Sequence, residues 1–240
     1  MIAALPVEHP RDPASGSADH EIKFVVPSSV AGALRTWIGS VCRPDARHPP
    51  ARVTTVYFDT PDLRLLSEKI DSDYLKTKVR VRWYGTVDHG ASAVFAEVKH
   101  RIGSHRVKVR VTLDVRAAEV ARWPLCDRRW PGLLSTLRAQ VPTLPSLLAP
   151  VLCLTYTRHR FLDPALAARV TVDSDIRAIG VNVAMVAGQV PVGIEDVVFE
   201  YKSRSFDLPP HLGPIVRYGA RRMSFSKYLA CYQAMTRLVL

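Results

Sequence analysis

Residues 76–85 read KTKVRVRWYG, in which Lys78, Arg80 and Arg82 alternate with Val79, Val81 and Trp83. Side chains two apart in an extended strand share a face, so this segment is a strand with one apolar and one cationic face. The pattern recurs in Arg106/Lys108/Arg110, in Tyr156/Arg158/Arg160, in Arg169/Thr171/Asp173, in Glu200/Lys202/Arg204 and in the pair Glu97/Lys99. A single strand with water on one face commonly carries charge there. A solvated sheet mixes signs, because like charges directly opposite one another repel. Here the excess is positive in most strands, which favours a shared lining for an anion over unrelated surfaces.

Eight segments have strand character, around HEIKFVV, RVTTVYFD, KVRVRWYG, SAVFAEVKHR, HRVKVRVTLD, VLCLTYTRHRFL, ARVTVDSDIRAI and GIEDVVFEYKSR. Gly85, Gly90 and Gly103 mark turns, and short loops between consecutive strands predict antiparallel pairing. Val30, Leu34, Trp37, Ile38 and Val41 form a helical stripe, and a last helix is expected from Lys227 to Leu238, capped by Ser226. The proline-rich middle, 115–150, carries two short helical segments suited to packing on the wall of a sheet. Asp59 is expected to end its strand and make turn hydrogen bonds. Residues 1–19 read as a flexible N-terminal tail and 20–240 as one domain. The start lacks the layout of a secretion signal and no apolar run reaches transmembrane length, so a cytoplasmic chain is expected.

Lys plus Arg number 33 against 22 Asp plus Glu, a net charge of +11, which favours a phosphate-rich partner. Nucleic acid is disfavoured: it calls for exposed aromatics among basic residues or a recognition helix, and of Trp83 and Tyr84, which could stack bases, Trp83 lies on the apolar side of its strand. The four cysteines show no metal-ligand spacing and read as reduced thiols. HExxH, GxSxG, Walker and dinucleotide-binding motifs are absent. A carboxylate on a phosphate-binding face repels its ligand unless it holds Mg²⁺ or Mn²⁺ or bridges to a neighbouring strand; Glu200, and more weakly Glu97, are the candidates for metal. Asp173 reads as structural or as a support behind the ligands. Ser226 and Lys227 open a helix whose free N–H groups suit phosphate, or form a plain cap.

Taken in order, EIKF, VYFDT, KVRVRWY, FAEVK, RVKV, YTRHRF, RVTVD, FEYK and FSKY resemble the VTC domain, the polyphosphate polymerase domain of the CYTH-like triphosphate tunnel superfamily. The resemblance implies a mainly β, α+β fold: a closed eight-stranded antiparallel barrel forming a tunnel, with flanking helices. It implies phosphate binding by Lys23, Arg80, Arg82, Lys99, Lys108 and Arg158, more loosely by Arg169, and by Ser226 and Lys227. Catalysis falls to Glu200, Arg80, Arg82, Lys99 and Arg158, with Glu200 holding the metal. The implied activity is a phosphotransferase that moves the terminal phosphate of ATP to inorganic polyphosphate, with Mn²⁺ or Mg²⁺. A membrane or regulatory subunit would be a separate partner, holding the chain peripherally at the inner membrane face. Ser224 stands where the family often has lysine, with Arg221 or Arg222 as compensating cations.

Two rivals stay open. A tunnel-fold triphosphatase or polyphosphatase would use the same cations and metal. Such relatives carry an alternating ExExK first strand, from which HEIKF departs, and this favours the polymerase. A non-catalytic polyphosphate-binding module would need no metal at all.

Overall fold

A computed structural model describes residues 20–71, 74–85, 93–103 and 105–237. The expected tail over 1–19, the Gly90 turn and position 238 of the last helix lie outside the described residues. The eight long strands form near their expected places: β1 (His20–Pro27), β3 (Ala51–Asp59), β4 (Leu75–Tyr84), β5 (Val94–Ile102), β6 (His105–Leu113), β7 (Ala149–Asp163), β8 (Ala168–Val181) and β10 (Asp196–Ser203). Three two-residue strands join them, β2 (Arg43–Pro44), β9 (Val192–Gly193) and β11 (Arg221–Arg222). The helices are α1 (Ala31–Val41), α2 (Arg64–Ile70), α3 (Ala117–Val120), α4 (Ser135–Gln140) and α5 (Lys227–Arg237), with 3₁₀ segments at Trp130–Leu134 and Pro210–Tyr218. Among the described residues no helix is long and apolar enough to cross a membrane.

The strands form one antiparallel sheet in the order β11-β1-β10-β8-β7-β3-β4-β5-β6, with β2 on β7 and β9 on β8. This corrects the expected closed eight-stranded barrel: the ends of the path, β11 and β6, are not paired with each other. Alternation decides which side chains share a face and says nothing about whether two edges meet. At one end, β11 is only Arg221 and Arg222, too short to offer β6 a ladder, and β1 beside it is already paired on both edges.

The open sheet is nonetheless deeply rolled. Lys99 Nζ of β5 lies 3.3 Å from Glu21 Oε2 of β1. In a flat sheet those strands, six spacings apart in the order, would be separated by about 29 Å. Side chains, not backbone, bring the two arms of the trough together.

Both outer faces are covered. Val79, Val81, Trp83, Ala96 and Val98 pack under α3, α4 and the Trp130–Leu134 segment. Ile22, Phe24, Val170, Val172 and Phe199 pack against α1 and Leu212 and Ile215 of the Pro210–Tyr218 segment. A third cluster lies inside the trough, where Tyr57, Leu152, Leu154 and Tyr156 meet Leu66 of α2 and Tyr228, Cys231 and Met235 of α5. The Tyr57 and Tyr228 rings stack at 4.9 Å. Asp59 anchors this plug: it ends β3 and accepts the N–H groups of Thr60 (2.8 Å), Leu65 (2.8 Å) and Leu66 (3.0 Å) and the Tyr228 hydroxyl (3.1 Å). One part of the inner face is thus filled by α5, and the rest is left to charge.

Candidate functional site

The inner faces of β4, β5 and β6 are read in rows across the sheet. Arg80 stands opposite Glu97, which stands opposite Arg110. The next row is Lys78, Lys99 and Lys108, all in register. Opposed side chains lie only about 5 Å apart at Cβ, where like charges destabilise the sheet. The first row sets one carboxylate between two guanidiniums; the second sets three ammoniums side by side, two of which take their carboxylate partners from elsewhere, Lys108 from Glu97 and Lys99 from Glu21.

Glu97 is engaged at both oxygens. Its Oε2 accepts from Arg80 Nε (2.7 Å) and pairs with Arg80 Nη2 (2.6 Å); its Oε1 accepts from Arg110 Nε (2.6 Å) and pairs with Lys108 (3.0 Å). Arg82 lies 3.9 Å away and donates to Thr55 Oγ1 at 3.0 Å. Burial alone would raise the Glu97 carboxyl, but Arg80, Arg82, Lys108 and Arg110 hold it far below the usual range. With 1% of its side chain exposed and both oxygens held by cations, Glu97 does not fit the metal role considered for it.

Lys78 has the opposite surroundings. Its ammonium contacts Ser226 Oγ at 3.4 Å. Burial, then the charges of Lys23, Lys99, Arg80 and Lys69, push it down to about 7. Burial likewise lowers Lys99, against Glu21, and takes Lys108 to about 8, against Glu97. The whole lysine row therefore resists holding its charge in the absence of an anion.

On the other arm, Lys23 of β1 sits opposite Glu200 of β10, and Glu21 opposite Lys202. Lys23 bridges the two carboxylates, 2.6 Å from Glu21 Oε1 and 3.5 Å from Glu200 Oε2. Lys202 holds Glu200 Oε1 at 2.7 Å. Burial and Glu200 push Glu21 up, but Lys23, Lys202 and Lys99 outweigh them and bring it to about 2. Glu200 is also held low, with Lys202, Lys23 and Arg158 overcoming its burial. Glu200 Oε2, met by Lys23 at 3.5 Å, is less tightly engaged than either Glu97 oxygen, and it is the oxygen here that could turn to Mg²⁺ or Mn²⁺ together with substrate phosphate. Among the described residues no group of three or more potential metal-ligating side chains occurs.

A third cluster lies deeper. Asp173, fully buried, accepts both Arg158 Nε and Nη2 at 2.6 Å and pairs with Lys227 at 2.6 Å. Arg158 and Lys227 lie over the Tyr156 ring, at 5.4 and 4.8 Å, and Arg82 at 6.0 Å. The Tyr156 hydroxyl is buried near these cations without a hydrogen-bond partner among the described residues. Arg169 is exposed at the end of β8, opposite Lys202. Ser226 accepts the Leu229 N–H at 3.5 Å, as an N-cap.

Between the arms lies a cavity of about 400 Å³, lined by Lys23 and Lys99 of the expected set and by Lys69, Lys76, Lys78, Arg101, Arg222 and Glu21. Arg80, Arg82 and Arg158 lie apart from it, each tied to a buried carboxylate or hydroxyl. Sequence reasoning reads Lys78, Lys202 and Tyr156 only as members of patterned strand faces, and assigns neither them nor Glu21 a phosphate or metal role. Each alternates at two-residue spacing with a candidate, and that signal could have included them. Lys69 carries no such signal: it arrives from α2 and donates to Ser224 Oγ at 2.9 Å. A cation from another element thus stands at the serine where the family resemblance expects lysine.

The VTC domain family model matches residues 18–236. Among solved structures, HpAC1 from Hippeastrum, an adenylyl cyclase candidate described as having a dominant triphosphatase activity, aligns with TM-score 0.53 and 13% identity. It covers 90% of this chain and 96% of its own. A protein from Bacillus halodurans assigned as an adenylate cyclase (bh2851) aligns with TM-score 0.50 and 14% identity, covering 88% of this chain and 94% of its own. At these identities the likeness is one of fold. No curated protein sequence matches the chain.

Proposed function

The chain belongs to the VTC domain family, and from that premise we propose that it is a metal-dependent phosphohydrolase acting on linear triphosphate or polyphosphate. The observation that carries this reading is the in-register row Lys78–Lys99–Lys108, whose mutual repulsion an extended phosphate chain relieves. Lys78 and Lys99 of that row line the cavity together with Lys23 and Lys69. Arg80 and Arg158, held by Glu97 and Asp173 outside that cavity, would add positive charge to the trough rather than direct contacts in the cavity. The Tyr156 hydroxyl is a donor for a phosphate oxygen.

Glu200, with Glu21 beside it, would hold Mg²⁺ or Mn²⁺, which supplies charge neutralisation on the phosphate oxygens when bound. Water adds to a terminal phosphorus as the bridging P–O bond breaks, giving orthophosphate, a chain shorter by one phosphate, and one proton released to solvent. Such transfers rest on positioning and electrostatics, the work this array of cations performs. Although HEIKF departs from an ExExK strand, Glu21 lies in the same cluster as Glu200, as a second carboxylate for hydrolysis would. The triphosphatase activity described for HpAC1 supports the same choice by analogy of fold.

Transfer from ATP to polyphosphate, implied by the family resemblance, is the second reading. It uses the same groups with an anionic chain end in place of water. Incubation with tripolyphosphate, long polyphosphate or ATP, each with Mg²⁺ or Mn²⁺, separates the two. Orthophosphate release that Glu200→Gln abolishes while tripolyphosphate binding survives is the expected result. Polymer growth from ATP with ADP release replaces hydrolysis by transfer, and binding without turnover under either metal removes the enzyme reading.

A further inference from the structure

On the outside of the sheet, away from the cationic trough, a cavity of about 700 Å³ opens between strands β3, β4, β7 and β8 and the segment that follows β6. Three indoles, Trp83, Trp123 and Trp130, form its walls with Leu125 and Val181. Trp123 and Trp130 meet edge to face at 5.5 Å, and Trp130 donates to the Pro124 carbonyl at 2.8 Å, so the aromatic wall is held in place. The volume falls in the range of small-molecule sites, which are mostly apolar with a few placed polar groups.

Among the described residues the charged side chain in that lining is Arg52, and no carboxylate belongs to it. Arg52 donates to Thr155 Oγ1 at 3.3 Å and to Asp175 Oδ2 at 3.2 Å. Asp175 also accepts from Arg177 at 2.6 Å, so it keeps a cation if Arg52 turns to another anion. An apolar chamber with one arginine at its wall is complementary to a molecule with a hydrocarbon body and a single negative end.

We propose that this outer cavity binds a single-chain amphipathic carboxylate, its alkyl body among the three indoles and its carboxylate on Arg52. The site is separate from the lysine row and does not depend on the reading of that row.

The protein carries its own reporters. Of its four cysteines Cys126 is exposed and lines this cavity, while Cys42 and Cys231 are buried. Cys153 is half-buried, and burial pushes its thiol up to about 12, so at mildly alkaline pH a disulfide reagent reads Cys126.

The full chain is titrated with decanoate, decan-1-ol and decyltrimethylammonium, following tryptophan emission and the rate at which Cys126 reacts with dithiobis-nitrobenzoate. The expected result is a saturable emission change with slowed thiol reaction for decanoate, and a response at least about tenfold weaker for the alcohol and the cation. Arg52→Gln should remove the preference for decanoate, and Ala121→Trp, at an exposed position of the lining, should block all three. No saturable response in the wild-type chain overturns the proposal. So does equal binding of decanoate and decan-1-ol, or decanoate binding unchanged in both variants. Unchanged tripolyphosphate binding by Ala121→Trp checks that this variant is folded.

Discussion

Lys78 of β4 stands directly opposite Lys99 of β5, two ammonium-bearing side chains in register on the inner face of a rolled sheet. The neighbouring positions on the same strands, Arg80 and Glu97, are an opposite-charge pair. A shift of two residues along one hairpin therefore separates a row that contains its own carboxylate from a row of three lysines, two of which borrow Glu21 and Glu97 from outside it. Further negative charge on that lysine row is what a phosphate chain would supply.

Anion binding should draw protons onto this row. Burial and like charges hold Lys78 down at about 7, and burial takes Lys108 to about 8. A bound phosphate chain raises both, so at pH 7.5 to 8 tripolyphosphate binding takes up protons, and affinity falls as pH rises through that range. Calorimetry in two buffers of different ionisation enthalpy measures the uptake. Lys78→Met should remove most of it.

The same shifts set the sign of stability against pH. These lysines have folded values below the ordinary 10.5, so from about pH 7 upward the folded chain binds fewer protons than the unfolded chain. Stability without anion should therefore rise with pH across that window. Tyr84, at about 8 because Arg82 and Arg110 outweigh its burial, adds the same sign. Thermal melts from pH 7 to 9 test this, and Lys78→Met should flatten the slope.

Glu97 and Glu200 should behave differently when neutralised. Glu97→Gln leaves Arg80, Lys108 and Arg110 without their shared buried anion. It should cost about 3 kcal/mol in urea unfolding, with or without divalent metal. Glu200→Gln should leave the fold largely intact and remove metal-dependent turnover. Equal loss of stability in both would remove the distinction between a cation anchor and a metal ligand.

Tyr156→Phe deletes a buried hydroxyl that has no partner among the described residues. Without ligand the variant should be as stable as the parent or more so, since an unpaired buried polar group is lost. Tripolyphosphate should bind it about tenfold more weakly, the worth of one hydrogen bond to a charged group. Differential scanning with and without tripolyphosphate reads both effects.

Asp59→Ala should loosen the α5 plug. It removes the acceptor for Leu65 and Leu66 at the start of α2 and strands the Tyr228 hydroxyl. The expected loss is about 3 kcal/mol, a helix cap plus a buried unpaired donor. Tyr228→Phe should cost about 1 kcal/mol, and the double variant less than the sum.

Much of this was legible in the residues alone. The two-residue alternation of Lys78, Arg80 and Arg82 with Val79, Val81 and Trp83 decides which side chains share a face, and the structure buries Val79, Val81 and Trp83 accordingly. Periodicity cannot tell where a sheet stops, and the open edge between β6 and β11 rests on the brevity of β11. Nor does it reveal register between strands distant in sequence. Glu21 and Glu200 belong to β1 and β10, and only their pairing makes them neighbours around Lys23. Glu97 looked available because its pairing across strands is not written in its own segment; its partners Arg80 and Arg110 come from the strands on either side.

The most direct test is a titration of the wild-type chain and a Lys78→Met/Lys99→Met variant with tripolyphosphate and with orthophosphate, at fixed salt and pH 7. The account predicts that the wild-type chain binds tripolyphosphate at least about 100-fold more tightly than orthophosphate, and that the variant loses most of that preference. Equal affinity for the two anions, or an unchanged preference in the variant, would contradict it.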